Sequence, residues 1–245
     1  MRHRALIMLL FSYAALQNGL AQQTGATGSV KLYRYGDLLR ERGIELTKSA
    51  LLNALRNPDD SVRYLAAMKL AEDKDTDAIP AMQRALSVEK VPRDQVNIAL
   101  ALALLDDPSG TAELRRVCAD KSFIPEFRLY AVRYIFDLHL PKDENCLGAT
   151  EAIAESPKAR FGDIVSALEL LPRFRGVTTQ ESQRILEVAA GRLQDPEPVV
   201  RMAASQSLAA IGNPAAAPSL EAAITREQDE SVRSVLQESL KKLQK

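Results

Sequence analysis

"PDDSVRYLAAMKLAE", residues 58–72, returns in outline as "PEPVVRMAASQSL" at 196–208 and "DESVRSVLQESL" at 229–240. Each copy passes from a turn marked by Pro or acids, through Val-Arg, into an apolar helical pattern. Aligning Val62-Arg63 with Val200-Arg201 sets an offset of 138 that holds without a gap for about 30 residues. Ala66 then meets Ala204, Leu70 meets Leu208, Pro80 meets Pro218 and Leu86 meets Ile224. A second alignment lays Ser61-Val62-Arg63 on Ser231-Val232-Arg233 at offset 170, which is five steps of 34. Weaker copies lie between. Val96 and Leu104 match at offset 34, and Phe127-Arg128, Ala131 and Ile135 match at offset 65. A degenerate copy lies near Phe161 to Leu171. A two-helix unit with a period of 31 to 39 residues, used about six times, specifies an all-α superhelix, an α-solenoid.

The unit has a mechanical logic. Helix A ends in a polar turn, Asn57 to Asp60, whose acids suit the N-terminus of helix B. Val62, Ala66 and Leu70 recur every four residues and form the core stripe of helix B. Ala66 and Ala67 let helices approach closely. Pro80 sits in the first turn of the next helix A, where its missing N–H costs little. The expected pairs are 46–56/60–72, 78–88/92–106, 110–118/124–138, 147–156/159–172, 180–193/197–211 and 214–226/229–243. A short leading helix is expected within 31–45.

Asp60/Val62/Arg63/Ala66/Leu70 with Ala78-Ile79-Pro80, and Asp195/Val200/Arg201/Leu208 with Gly212 and Ala217-Pro218, resemble the HEAT-repeat family. The likeness is strongest to its short bacterial, bilin-lyase type, and covers roughly residues 46 to 243. It implies architecture and little about function, because the repeat is a scaffold for unrelated activities.

Residues 1–21, "MRHRALIMLLFSYAALQNGLA", read as a secretory signal: Arg2 and Arg4, an apolar run from Ala5 to Leu16, then small residues Gly19 and Ala21. Residues 22–45 form a lead-in and 46–245 the solenoid. The run of 12 residues is too short to span a bilayer of roughly 30 Å. The expectation is an exported, periplasmic or secreted protein with no stable membrane insertion after cleavage. The 32 Lys and Arg balance 32 Asp and Glu, and cleavage removes two Arg and no acid. That balance argues against a dedicated nucleic-acid binder.

The chain is poor in catalytic material. It holds two His and no Trp. Cleavage leaves only His139, so a His-dependent metal cluster is not available. Hydroxylases with HEAT repeats use paired His-Glu motifs on a di-iron centre; this chain has no His-Glu step, so that activity is not carried over. No G-x-S-x-G elbow, P-loop or dinucleotide fingerprint occurs. Asp73, Asp75 and Asp77 are spaced like the start of a calcium loop. Ala78 and Arg84 stand where an EF-hand needs Gly and an acid, so "DKDTD" reads as a solvated turn. No enzyme activity and no cofactor are expected.

Cys118 and Cys146, the only cysteines, are open to two readings. Export favours a disulfide. Overlaying the two A helices as level repeats puts the thiols about five residues apart along the axis, roughly 7–8 Å, with a lateral spacing of about 8–10 Å. That exceeds normal disulfide reach and favours two separately buried thiols, unless the loop "HLPKDEN" (139–145) closes the gap.

The Arg column (Arg63, Arg128, Arg201, Arg233) reads as a structural ladder with Asp60, each Arg bonding turn acids or carbonyls of a neighbouring repeat; the competing reading is a basic track for an acidic partner. Tyr64, Met68, Leu129, Arg133, Met202 and Gln206 lie opposite the core stripe of the B helices and are the candidate concave surface for an unidentified protein or peptide. The expected function is therefore a non-enzymatic, exported protein-binding scaffold. The alternatives are a bilin-lyase-like module and a solenoid that assembles with copies of itself.

Overall fold

The computed structural model describes residues 34–174 and 179–244, and the statements below concern those residues. The signal segment lies outside them. Thirteen α-helices and no strand are present among the described residues. The leading helix is α1 (Tyr35–Glu41). Six pairs follow: α2 (Lys48–Ala54) with α3 (Asp60–Glu72), α4 (Ile79–Val88) with α5 (Pro92–Leu104), α6 (Pro108–Ala119) with α7 (Pro125–Asp137), α8 (Glu144–Glu155) with α9 (Phe161–Leu170), α10 (Thr179–Gly191) with α11 (Pro198–Ile211), and α12 (Ala217–Arg226) with α13 (Glu230–Leu243). The all-α solenoid expected from the period is the observed fold.

The boundaries follow local chemistry. The Asp59 carboxylate accepts from Ser61 N at 2.9 Å and caps α3, while Asp229 accepts from Ser231 N and Val232 N at 2.8 and 3.2 Å and caps α13. Asp107 and Asp143 cap α6 and α8 in the same way. Pro92, Pro108, Pro125 and Pro198 open their helices, where a missing N–H costs nothing. The Ala78-Ile79-Pro80 and Ala216-Ala217-Pro218 segments behave alike: a single 3₁₀ turn, 76–78 or 214–216, leads into the A helix.

Helix B of each unit packs on helix B of the next, from α3 through α5, α7, α9 and α11 to α13. The core stripe is buried along the stack: Val62, Val96, Ile164, Val200 and Val232 are each no more than 5% exposed. Gly110 allows one unusually close crossing. A Cβ there would sit 2.4 Å from both Ala103 N and Ala99 O of α5, so α6 rests backbone to backbone on its neighbour.

Candidate functional site

Helices α7 and α9, the B helices of the third and fourth units, flank a cleft of about 340 Å³ lined by Leu129, Tyr130, Arg133, Phe161 and Ser166, with Glu126, Arg160 and Asp163 at its mouth. Arg160 grips Asp163 with two bonds, Nε–Oδ2 at 2.9 Å and Nη2–Oδ1 at 3.0 Å, and reaches Glu126 at 3.1 Å. Tyr130 Oη donates to the other Glu126 oxygen at 2.9 Å. The Asp163 and Glu126 carboxylates hold the guanidinium pKa above its ordinary value. One guanidinium thus serves two carboxylates, and the cluster keeps one net negative charge. What the cleft offers a ligand is apolar surface, above all Phe161 at 58% exposure, plus the half-buried Arg133, whose Nη2 lies 3.4 Å from Glu169.

The six candidate surface residues separate. Arg133 and Leu129 line this cleft, although Leu129 is only 3% exposed. Met68, also 3% exposed, belongs to the core and offers a partner nothing; its position on α3 is covered from both sides by the stack. Tyr64 is half-buried beneath Arg93, whose guanidinium carbon is 5.2 Å from the ring centroid. Burial foremost raises its hydroxyl pKa. Met202 is half-buried and Gln206 is exposed. Phe161 and Tyr130 were missed. Tyr130 stands next to Leu129 of the column that was read, and the degenerate copy near Phe161 hid the register of its unit.

The Arg column is a ladder of engaged side chains. Arg63 holds Glu89 bidentately, at 2.7 and 2.9 Å, and its Nη1 donates to the carbonyls of Asn57 and Pro58 at 2.9 and 3.2 Å. Arg201 repeats this on Glu227, at 2.7 and 2.9 Å, and on the carbonyls of Asp195 and Pro196 at 2.9 and 3.1 Å. Arg233 donates to the Glu227 carbonyl at 3.0 Å, and the buried Arg128 to the Cys118 carbonyl at 3.0 Å. The acids are not those expected. Asp60 lies 3.8 Å from Arg93 instead. The carboxylate comes from the A–B turn of the following unit, because a side chain as long as Arg reaches across to that turn while its own turn supplies carbonyls. Glu89 is also fixed by Lys90 N and Val91 N at 2.9 and 3.0 Å. Burial pushes its pKa up, and Arg63 with these two N–H groups outweighs burial, so the net value lies below the ordinary one.

Cys118 and Cys146 are joined in a disulfide with Cα atoms 5.3 Å apart, and both residues are buried. The objection from level repeats fails here. Cys118 stands in the last turn of α6 and Cys146 in the first turn of α8, and these ends meet. Asp143, which caps α8, has a carboxylate oxygen within 4.8 Å of both sulfurs. Among the described residues this is the grouping with metal-ligand chemistry, and the bond occupies both sulfurs. Asp75 and Asp77 of the "DKDTD" turn both pair with Lys48, at 2.8 and 3.0 Å.

Comparison with known proteins places the chain. The model of the HEAT repeats matches residues 49–134 and 166–241. The chain belongs to the HEAT-repeat family. Among solved structures it is similar to human deoxyhypusine hydroxylase in complex with glycerol, with 16% identity, a TM-score of 0.42, and coverage of 86% of this chain and 76% of that one. No curated protein matches.

Proposed function

We propose that this HEAT-repeat chain is an exported, non-enzymatic scaffold that holds a polypeptide in the cleft between α7 and α9. The observation that carries it is the chemistry of that cleft: an exposed aromatic and a half-buried Arg beside an Arg160 already held by two carboxylates. Aromatic and Arg side chains most often carry interface energy. The buried Cys118–Cys146 bond supports export, since disulfides persist in oxidising compartments, and the basic-apolar-small pattern of residues 1–21 supports it too. No helix among the described residues is long and apolar enough to cross a membrane.

Crosslinking and pull-down from a periplasmic fraction test the reading, run with the wild type beside Arg133→Ala and Phe161→Ser. A partner recovered by the wild type and lost from both variants supports the cleft. Recovery of no partner, or equal recovery by all three proteins, counts against it.

A further inference from the structure

A second row of basic side chains runs along the stack, and unlike the Arg63 column it has no ion pair among the described residues. Six residues before Val62, Val96, Phe127, Ile164, Val200 and Val232 stand Arg56, Lys90, Lys121, Lys158, Gln194 and Arg226. Five of the six are basic, and all six are exposed. They share one structural position, the A–B turn, and so lie along one edge of the solenoid. Nearest-neighbour contacts show that these edges sit side by side. Arg93 approaches Asp60 across the first and second units, and Arg160 reaches Glu126 across the third and fourth.

The middle of this edge carries three lysines that no acid has claimed. Around Lys90, Lys121 and Lys158 the acids are already engaged: Glu89 by Arg63, Asp94 by Arg93, Asp120 by Arg116, and Glu126 and Asp163 by Arg160. The three lysines have no ion pair among the described residues. Beside each lies one of the exposed large apolar side chains: Val88 at 73%, Ile124 at 51% and Phe161 at 58%. Of the four exposed large apolar side chains among the described residues, three accompany the three lysines in successive units; the fourth is Val199 at 38%.

We propose that the A–B edge of the second, third and fourth units is a docking strip for an extended, acidic polypeptide segment. The spacing selects the occupant. Packed helices lie about 8–10 Å apart, and an extended chain advances about 3.3 Å per residue. Acids at every third residue therefore meet successive lysines, with an apolar residue between them to cover Val88, Ile124 or Phe161. The strip shares Phe161 with the cleft but not Arg133, so the lysine variant and Arg133→Ala separate its failure from that of the cleft, on whose reading it does not rest.

The probe is a fluorescein-labelled twelve-residue peptide of four Asp-Leu-Ser units, titrated by anisotropy against the full chain. The expected result is binding that weakens about tenfold or more in the Lys90→Glu/Lys121→Glu/Lys158→Glu variant, weakens with salt, and is unchanged in Arg133→Ala. The variant should melt at the wild-type temperature, because all three side chains are exposed. A Lys-Leu-Ser peptide should bind the triple variant better than the wild type. No binding up to about 1 mM peptide, equal binding by a peptide of the same composition with its acids clustered at one end, or no loss in the triple variant would overturn the proposal. So would tighter binding of a single-stranded DNA oligonucleotide or of phosphatidylglycerol vesicles, which would assign the strip to another polyanion.

Discussion

A carboxylate at position 62 has nowhere to go. Val62 is 3% exposed and faces the core stripe, so Val62→Asp buries an unpaired charge. The expected cost is at least about 3 kcal/mol, read as a fall of roughly 6–12 °C in the melting temperature of a chain this size. Gly110→Ala acts by a different route: its Cβ would meet backbone atoms at 2.4 Å, which do not yield. Overpacking there should cost about 1–3 kcal/mol by urea unfolding. Gly36 is the control, because its nearest contact is the flexible end of Leu46, and Gly36→Ala should cost less. At this scale the core was legible, since Val62, Ala66 and Leu70 recur at helical spacing. The partners of the Arg column were less so. Glu89 and Glu227 stand 26 residues beyond Arg63 and Arg201, and no local pattern links residues that far apart. Yet the 138-residue offset, carried three positions past Leu86 and Ile224, lands on that pair.

The two clamps tie the A–B turns of neighbouring units together. Their carboxylate side chains are 1% exposed at Glu89 and 7% at Glu227. The pairs are thus largely buried, and worth more than an exposed surface ion pair. Arg201→Ala, which also strips two carbonyl bonds, should cost about 2–3 kcal/mol. Glu227 gives the pH dependence. The hydrogen bond from Arg201 lowers its pKa first, the Asp229 and Gln228 N–H groups add to this, and burial opposes them. A carboxyl lowered in the folded state stabilises the fold above its ordinary value of 4.5, and that stability is lost as pH falls through the folded value. Urea midpoints should therefore fall as the pH drops below about 4.5, and fall less steeply in Glu227→Gln. An equal acid slope in both proteins would contradict the clamp. Helix existence and order were readable because turn, cap and stripe agree in each unit. The unit around Phe161 was readable only as degenerate, since Val165 stands where the Arg would be, and this is also where the cleft lies.

For the whole molecule, the disulfide was the least legible feature. Two cysteines 28 residues apart were judged by the average geometry of a level stack, and the step between α6 and α8 departs from it. Intact mass should fall by two hydrogens on oxidation, and reduction should lower stability by about 3–4 kcal/mol on the loop-entropy account. The repeat family and the stack could be read from one short stretch, whereas both candidate surfaces depend on what each turn does with its charges.

The Cys118–Cys146 bond also has a mechanical meaning. A stack of paired helices is a spring, and when its ends are pulled each unit can unravel and lengthen the tether. The bond locks the segment between two cysteines 28 positions apart, including all of α7, out of that extension. Roughly 90–100 Å of contour should therefore stay hidden in the oxidised protein, and should appear as added length in single-molecule pulling once a reductant is present. One covalent link in the middle of the molecule thus shortens the fully extended oxidised chain by that length.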